Sequence, residues 1–397
     1  MSDKIYITGV GIISSIGKNI DEHYFSLLSG KSGIGKIDLL PTVHKNEFVA
    51  GEVKYTNEEL ERLTEIPFNS PDSRTALLGI IAAKQALSNA GLNNPVDGKT
   101  GLISATTVGG MDRSELFYHH YLKSEKLTNA IGHPCGDSTN MIAKATGITG
   151  YSTTVSTACS SSANAIITGA RLISNKILDS VVVGGTDALS KFTLNGFNSL
   201  MILDRDICKP FDNNRKGLNL GEGAAYLVLE SEQSIRRRNM EPLCELSGYA
   251  NRNDVYHQTA SSPDGRGAFG AMSEALQKYG LKTADIDYIN AHGTGTENND
   301  LSEGIAIERL FGKKIIFSST KAFTGHTLGA SGAIEAVFSV LAIQRGFIPP
   351  NLNFHEKMED LNIVPQSELI SSIKINRVLS NSFGFGGNNS SLIFSKV

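Results

Sequence analysis

The run Val155-Ser-Thr-Ala-Cys-Ser-Ser-Ser-Ala163 lies between an apolar, β-branched stretch and a segment of small residues. The stretch Thr153–Thr157 predicts a strand, and the small residues of Ser160–Ser174 predict a helix. Cys159 then lies at a helix N-terminus, where the macrodipole favours the thiolate that attacks carbonyl groups. Small hydroxyl residues on both sides leave room for a substrate. The run therefore predicts a strand–turn–helix unit that carries a nucleophile.

The same alternation of short β-branched runs and longer helical segments continues along the chain. The stretch Gly325–Ile343 resembles Val155–Ile173 in its pattern of a strand end followed by a small-residue helix, and the opening strand Ile5-Tyr-Ile-Thr-Gly has a counterpart in Leu243-Cys-Glu-Leu-Ser-Gly248. Such alternation predicts an α/β fold with largely buried sheets, here as two similar halves that meet near residues 231–242. The segment Ser190–Gly217 lacks periodicity, and we expect a long excursion of the kind that covers a site.

Composition excludes several classes of protein. The chain is 40% hydrophobic and 19% charged, as in an ordinary globular protein, and its net charge of −3 indicates no affinity for nucleic acid. The N-terminal apolar stretch is too short for a signal peptide, and no window reaches the length of a membrane span. The four cysteines form no CxxC pair, which predicts no zinc site or disulfide framework and favours a reducing, cytoplasmic setting.

Two histidines stand in glycine-framed segments. His292 belongs to Asn290-Ala-His-Gly-Thr-Gly-Thr296, directly after a predicted strand, where an imidazole reaches a ligand rather than filling a core. His326 belongs to Thr324-Gly-His-Thr-Leu-Gly-Ala330, at the predicted start of a helix. A helix N-terminus lowers the pKa of a histidine, so the neutral ring can donate a hydrogen bond to a developing oxyanion.

Two further stretches complete the candidate site. Lys321 is either a solvated surface group or a cation that sets the electrostatics of the site and pairs with a carboxylate such as Glu335. The run Asn381-Ser-Phe-Gly-Phe-Gly-Gly-Asn388 places two aromatic rings among glycines, which can supply a backbone N–H to an oxyanion and leave a ring free to move. A thiol, two imidazoles and a lysine together indicate carbon-chain chemistry on a thioester.

Together these motifs resemble the β-ketoacyl-[acyl-carrier-protein] synthases, and most closely their elongating branch. The resemblance runs from Ile5-Tyr-Ile-Thr-Gly-Val-Gly to Ser391-Leu-Ile-Phe, essentially the whole chain. It implies a thiolase-like fold of two βαβαβ-type halves in a five-layered αβαβα sandwich. Residues 1–235 would form the half with the nucleophilic cysteine, and residues 236–397 the half with the histidine pair.

The resemblance also implies a role for each candidate residue. Cys159 takes an acyl group from an acyl carrier protein, and the backbone N–H groups of Cys159 and Phe385 form the oxyanion hole. His292 and His326 stabilise the enolate that forms when a malonyl group loses carbon dioxide. The remaining residues support the histidines (Lys321, Glu335, Phe383), gate the cysteine (Phe385) or contact the substrate (Thr294, Thr296, Val108, Leu218).

The implied reaction is a 3-oxoacyl-[acyl-carrier-protein] synthase reaction in fatty acid or related polyketide or polyene biosynthesis. It needs no metal and no cofactor, since the substrates are carried on the phosphopantetheine of the carrier protein. The implied partners are acyl- and malonyl-loaded carrier protein and a second copy of the chain, paired along Thr153–Thr157.

Alternatives and departures from the family pattern stay open. A non-catalytic or partner-dependent ketosynthase subunit is one alternative, and a thiolase is another, although a thiolase needs a second cysteine in a loop such as Gly384–Gly387. A priming enzyme would pair its cysteine with histidine and asparagine. The family usually has phenylalanine where Leu218 stands, and the segment from Glu58 is acidic, with Arg62 and Arg74 as the only arginines nearby. We therefore expect a weaker or displaced docking patch for an acidic carrier protein.

Overall fold

The computed structural model describes residues 4–64, 73–92, 98–121 and 134–397. The strands of its first half are β1 (Ile5–Ser14), β2 (Gly35–Lys36), β3 (Val49–Ala50), β4 (Thr100–Ala105), β5 (Ser152–Val155), β6 (Ser180–Asp187) and β7 (Gly223–Ser231). Those of its second half are β8 (Cys244–Asn253), β9 (Tyr288–Asn290), β10 (Ile316–Ser318), β11 (Phe347–Ile348), β12 (Ile370–Ser371), β13 (Arg377–Gly384) and β14 (Asn388–Ser395).

The helices alternate with these strands. They are α1 (Ile20–Ser29), α2 (Asn57–Thr64), α3 (Arg74–Asn89), α4 (Met111–Tyr121), α5 (Cys135–Thr146), α6 (Ser161–Ser174), α7 (Lys191–Ser199), α8 (Glu232–Arg238), α9 (Arg266–Gln277), α10 (Glu297–Phe311), α11 (Lys321–Thr324) and α12 (Ser331–Arg345). None of those in the described part of the chain is both long and apolar enough to cross a bilayer.

The strand order repeats itself about the middle of a ten-stranded sheet, β10-β9-β13-β14-β8-β1-β7-β6-β4-β5. In each half, the inner strands pair antiparallel and the outer strands pair parallel. The halves join through β1 and β8, whose pairing consists of Tyr6 with Glu245 and Ile7 with Cys244. The two similar α/β halves expected from the sequence are visible in this mirrored order.

Helices cover the sheet in layers. Helix α3 packs on the outer face of β1 and β7, and α9 packs on the outer face of β8 and β14. Helices α6 and α12 lie between the halves and contact strands of both. The layers thus run helix, sheet, helix, sheet, helix, which confirms the predicted αβαβα sandwich.

Small residues allow the two central helices to approach closely. A Cβ on Gly332 would lie 3.0 Å from the Ala163 nitrogen, and the Ala333 N–H donates to Ser162 Oγ at 2.9 Å. The first thirteen residues of α12 are buried, so this helix is enclosed on all sides. The N-termini of α6 and α12 consequently meet between the two halves, and the loops that precede them share one cavity.

The segment Ser190–Gly217 is less irregular than its sequence suggested. It contains α7, which begins after Ser190, whose side chain accepts from the Thr193 N–H. Asn195 and Gly196 inside this helix weaken its intrinsic propensity and hide the pattern. The rest of the segment does border the cavity, as expected.

Candidate active site

A cavity of about 330 Å³ opens between the two halves. Its buried end is lined by Cys159, His292 and His326. Its rim holds exposed polar and apolar side chains, among them Lys216 and Glu297. The other sequence-predicted residues on its wall are Leu218, Thr294, Thr296, Phe383 and Phe385. Segments far apart in the chain therefore bring the predicted thiol, imidazoles and aromatic rings to one place.

Cys159 lies in the turn between β5 and α6. The residue before it, Ala158, has a φ of 53°, a left-handed conformation that costs energy for any residue except glycine. Burial raises the pKa of the Cys159 thiol to about 11, and the Lys321 ammonium and the backbone N–H groups of Phe385 and Cys159 oppose this shift. The expectation of a resting thiolate is therefore wrong, because burial outweighs the position at the helix N-terminus.

The tautomer of His292 follows from its contacts. Lys321 Nζ lies 3.1 Å from His292 Nδ1 and 2.6 Å from the His292 carbonyl oxygen. An ammonium group has only donors, so Nδ1 accepts and the ring proton resides on Nε2. Burial lowers the pKa of His292 well below its usual value, and the charge of Lys321 lowers it further. His292 is thus a neutral ring with one N–H left to donate.

His326 is also a neutral ring with its proton on Nε2, but a different contact fixes this tautomer. The backbone N–H of Leu328 donates to His326 Nδ1 at 3.1 Å, which again leaves the proton on Nε2. Burial lowers the pKa of His326 well below its usual value, followed by the charge of Lys321. The predicted cause was wrong, since His326 lies between α11 and a short 3₁₀ turn, Leu328–Ala330, and not at the start of a helix.

The rings of His292 and His326 lie edge to face at the buried end of the cavity. Their centroids lie 5.4 Å apart with an interplanar angle of 85°, and the ring of Phe383 lies 5.9 Å from that of His292. Two neutral N–H donors on one wall of a buried cavity suit an anionic oxygen that forms during a reaction.

A buried ion pair stands behind the histidines. Lys321 Nζ lies 2.5 Å from Glu335 Oε1, and both side chains are 2% exposed. Burial raises the pKa of the Glu335 carboxyl, and the Lys321 ammonium opposes that shift. Lys321 is therefore no solvated surface group, but a cation fixed against His292 Nδ1.

Two carboxylates that the sequence interpretation missed hold the loop of His292. Glu303 accepts from the N–H groups of His292 at 2.9 Å and Gly293 at 2.8 Å, and Asp300 accepts from that of Thr294 at 2.9 Å. Burial raises the pKa of Glu303 to about 7. The sequence pattern that could have revealed them is a pair of acids three positions apart, shortly after the glycine-framed segment and in the first turns of α10.

The turn at Phe385 touches the nucleophile. A Cβ on Gly384 would lie 2.9 Å from the Thr157 carbonyl oxygen and 3.2 Å from the Cys159 nitrogen, so glycine permits this close approach. The ring of Phe385 stacks on Phe197 of α7 with centroids 5.9 Å apart. Phe197 was another residue that the sequence did not reveal, because α7 itself was not recognised.

Val108 and Arg74 do not lie on the wall of the Cys159 cavity. The contact of Val108 with a substrate therefore stays a prediction. The Arg74 side chain is only 11% exposed, and its Nη2 lies 2.7 Å from Glu222 Oε1, so an internal carboxylate holds it away from a docking partner. No cysteine besides Cys159 lines the cavity in the described part of the chain, which leaves a thiolase without its second thiol.

Comparison with protein families gives two matches. The model described as "Beta-ketoacyl synthase, N-terminal domain" matches residues 2–234, and "Beta-ketoacyl synthase, C-terminal domain" matches residues 243–355. Among curated proteins, the chain is 33% identical to 3-oxoacyl-[acyl-carrier-protein] synthase 2 of Staphylococcus aureus strain N315, over 99% of this chain and 98% of that protein.

Solved structures with the same architecture include partner-bound ketosynthases. A chain of the ishigamide ketosynthase/chain length factor superposes with a TM-score of 0.93 at 30% identity, covering 100% of both chains. A chain of AntDE:AntF, a type II polyketide synthase acyl-carrier protein in complex with its ketosynthase, gives a TM-score of 0.87 at 25% identity over 100% of both chains.

Proposed function

Because the chain belongs to the β-ketoacyl synthase family and is an acyltransferase of the 3-oxoacyl-[acyl-carrier-protein] synthase type, we propose that Cys159 is its acyl acceptor. The Cys159 sulfur attacks the carbonyl carbon of an acyl thioester, and the oxyanion receives hydrogen bonds from the N–H groups of Cys159 and Phe385. The thiol of the carrier arm leaves with the proton of Cys159. The close approach of the Phe385 turn to the Cys159 backbone, where a Cβ on Gly384 would lie 3.2 Å from the Cys159 nitrogen, supports this assignment.

We propose that His292 and His326 then act together on a malonyl thioester. Loss of carbon dioxide leaves an enolate, whose oxygen accepts from the Nε2–H of each ring. The enolate carbon attacks the acyl thioester on Cys159, a carbon–carbon bond forms, and the Cys159 thiolate leaves and takes up a proton. The observation that carries this proposal is the locking of both rings as neutral Nε2–H donors.

The rest of the cavity suits the arm of a carrier protein. The Thr294 and Thr296 hydroxyl oxygens lie 2.8 Å apart on its wall, where they can bond the amides of phosphopantetheine. The substrates arrive on that arm, and the reaction uses no other cofactor. Lys216 is the exposed cation on the rim, whereas Arg74 is held by Glu222, so we propose that docking relies on Lys216 rather than on the region of α2.

The decisive experiment compares wild type with Cys159→Ala, using acyl- and malonyl-loaded carrier proteins. Wild type should release a 3-oxoacyl product that mass spectrometry detects, and Cys159→Ala should release none. Cys159→Ala should still decarboxylate malonyl carrier protein, since the histidine pair is intact. Condensation that survives in Cys159→Ala would overturn the assignment of the acyl acceptor.

We further propose that the chain forms a homodimer through β5. This strand ends the sheet order, and residues Ser152–Val155 are partly or fully exposed, which leaves an edge able to pair with another copy. A partner-dependent subunit is the alternative, favoured by the similarity to a ketosynthase/chain length factor chain. Native mass spectrometry separates them: a homodimer that condenses alone supports the first, and a monomer that requires another chain supports the second.

We also propose a cytoplasmic location, a class of product and a boundary between the two halves of the chain. All four cysteines are free, as suits a reducing cytoplasm. Leucine at position 218, where the family usually has an aromatic ring, reshapes the cavity wall. We propose that the product is a fatty acyl or a related polyketide or polyene chain. We place the boundary of the two ketosynthase halves at residues 235 and 236, inside α8 and before β8, where the mirrored strand order begins again.

A further inference from the structure

A network of asparagines and serines joins the two halves directly behind Cys159. Its hub is Asn388 Oδ1, which accepts from Ser160 Oγ at 2.8 Å, Asn164 Nδ2 at 2.9 Å and Asn251 Nδ2 at 2.7 Å. Asn164 Oδ1 in turn accepts from Asn251 Nδ2 and from Ser390 Oγ, each at 2.9 Å. The five side chains come from four places: the Cys159 turn, α6, β8 and β14.

The hub connects the two backbone segments that supply the oxyanion donors. Ser160 directly follows Cys159, and its hydroxyl lies 2.8 Å from the Thr157 carbonyl as well as from Asn388. Asn388 directly follows the 3₁₀ turn Phe385–Gly387. One side-chain oxygen therefore ties the turn that holds the first donor to the turn that holds the second.

The Phe385 turn needs such a tie. Glycines at positions 384, 386 and 387 surround Phe385, and Gly386 and Gly387 have positive φ values of 79° and 74°. Glycine permits many backbone conformations. The Gly386 N–H donates to the Gln258 carbonyl at 2.7 Å and Asn253 Nδ2 donates to the Gly386 carbonyl at 2.8 Å, but both partners belong to the second half and do not tie the turn to Cys159. Asn388 is the first residue after these glycines whose side chain reaches the half of the molecule that carries Cys159.

We propose that Asn388 is a positioning residue, which holds the Phe385 N–H at the distance from the Cys159 N–H that the oxyanion requires. This inference rests on the proposed function. A positioning role for Asn388 predicts different effects on the two partial reactions. Acyl transfer to Cys159 uses the oxyanion hole, whereas decarboxylation of the malonyl group uses His292 and His326. Disturbing Asn388 should slow the first and spare the second.

The test uses Asn388→Leu, which keeps the branched shape of the side chain and removes the acceptor oxygen. Misplacing one donor should slow acylation of Cys159 by about tenfold to a hundredfold, as followed by intact-protein mass spectrometry. Decarboxylation of malonyl carrier protein should be unchanged, measured in the Cys159→Ala background, where no condensation competes. A general loss of packing would slow both reactions together, and that outcome, or wild-type acylation, overturns the proposal.

The variants Ser160→Ala and Ser390→Ala test the role of the hub separately. They remain informative if Asn388→Leu folds poorly. Ser160→Ala removes the direct bond to the hub and should slow acylation. The double variant Ser160→Ala with Asn388→Leu should be no slower than Asn388→Leu alone, since both break the same link. Ser390→Ala, the matched control, loses bonds only at the edge of the network and should acylate at the wild-type rate. Additive effects, or a Ser390→Ala as slow as Ser160→Ala, would contradict a specific role of the hub.

Failure of this inference can be told apart from failure of the proposed function. Wild-type protein that is acylated on Cys159 but never condenses would refute the synthase reaction, and acylation rates of the variants would still test Asn388. Wild-type protein that condenses, together with unimpaired Asn388→Leu, would refute only the positioning role.

Discussion

The loops that precede the two central helices occupy equivalent places in the mirrored fold and do different chemistry. The first, residues 156–160, is a tight turn between β5 and α6 that presents a thiol. The second, residues 319–330, connects β10 to α12 and has room for α11, a buried lysine and His326. Each reaches its helix through a residue of positive φ, Ala158 at 53° and Leu328 at 51°.

The comparison shows how one scaffold position can serve two purposes. The short loop itself carries no charged side chain, and burial, the largest effect on its thiol, raises the pKa. The long loop adds an internal cation, Lys321, which fixes a carboxylate on one side and an imidazole on the other. The similarity of the halves therefore lies in backbone geometry, and the difference in their chemistry comes from the length of a loop.

Among the predicted effects, that of Lys321→Met in the longer loop should be the largest, and it should lower both the stability of the protein and its condensation rate. Removing the ammonium leaves Glu335 buried without a cation, at a cost of about 3–5 kcal/mol in the free energy of unfolding. His292 Nδ1 also loses its donor, so the proton need not stay on Nε2, and condensation should fall at least about 100-fold. Denaturant unfolding and the condensation assay measure the two effects.

A second variant separates stability from chemistry in that experiment. The double change Lys321→Met with Glu335→Met removes both charges and should recover most of the lost stability. Condensation should stay low, since the donor to His292 is still missing. Recovery of condensation would show that Lys321 serves the fold and not the tautomer of His292.

Alkylation with iodoacetamide tests the contrasting state of the shorter loop. The pKa of Cys159 is raised to about 11, so the reactive thiolate is a small fraction at pH 7 and grows as pH increases. The alkylation rate at the Cys159 peptide should therefore rise about tenfold per pH unit between about pH 7 and 10. A rate that levels off below about pH 8 would contradict this and restore the thiolate expected from the helix N-terminus.

The smallest expected effect concerns the rim of the cavity, where Lys216 and Glu297 are exposed. Lys216→Gln should raise KM for malonyl carrier protein about two- to fivefold and leave kcat unchanged, because an exposed ion pair is worth at most about 1 kcal/mol. Glu297→Gln on the same rim should lower KM, since it removes repulsion of an acidic carrier. Equal KM values for both variants, at low and high salt, would place docking elsewhere.

The sequence predicted much of this arrangement because its signals are local. Glycine framing and strand ends marked His292 and the Phe385 turn, and the repeated strand–helix pattern predicted an α/β fold of two similar halves. The αβαβα layers were implied by the family resemblance. The pKa of Cys159 was mispredicted because the burial that raises it comes from residues remote in the chain. The Asn388 network escaped notice for the same reason: an isolated asparagine carries no pattern that reveals partners on three other elements.

The contacts at His292 and His326 Nδ1 also restrict the movement of protons. The donor at His326 Nδ1 is a backbone N–H, which does not give up its proton, so this ring cannot pass a proton from one nitrogen to the other. The donor at His292 Nδ1 is the Lys321 ammonium, which is an acid. In the proposed cycle, the Cys159 thiolate released by condensation must still be reprotonated once per turnover. Of the two rings, only His292, whose Nδ1 faces the Lys321 ammonium, offers that proton a relay through an imidazole.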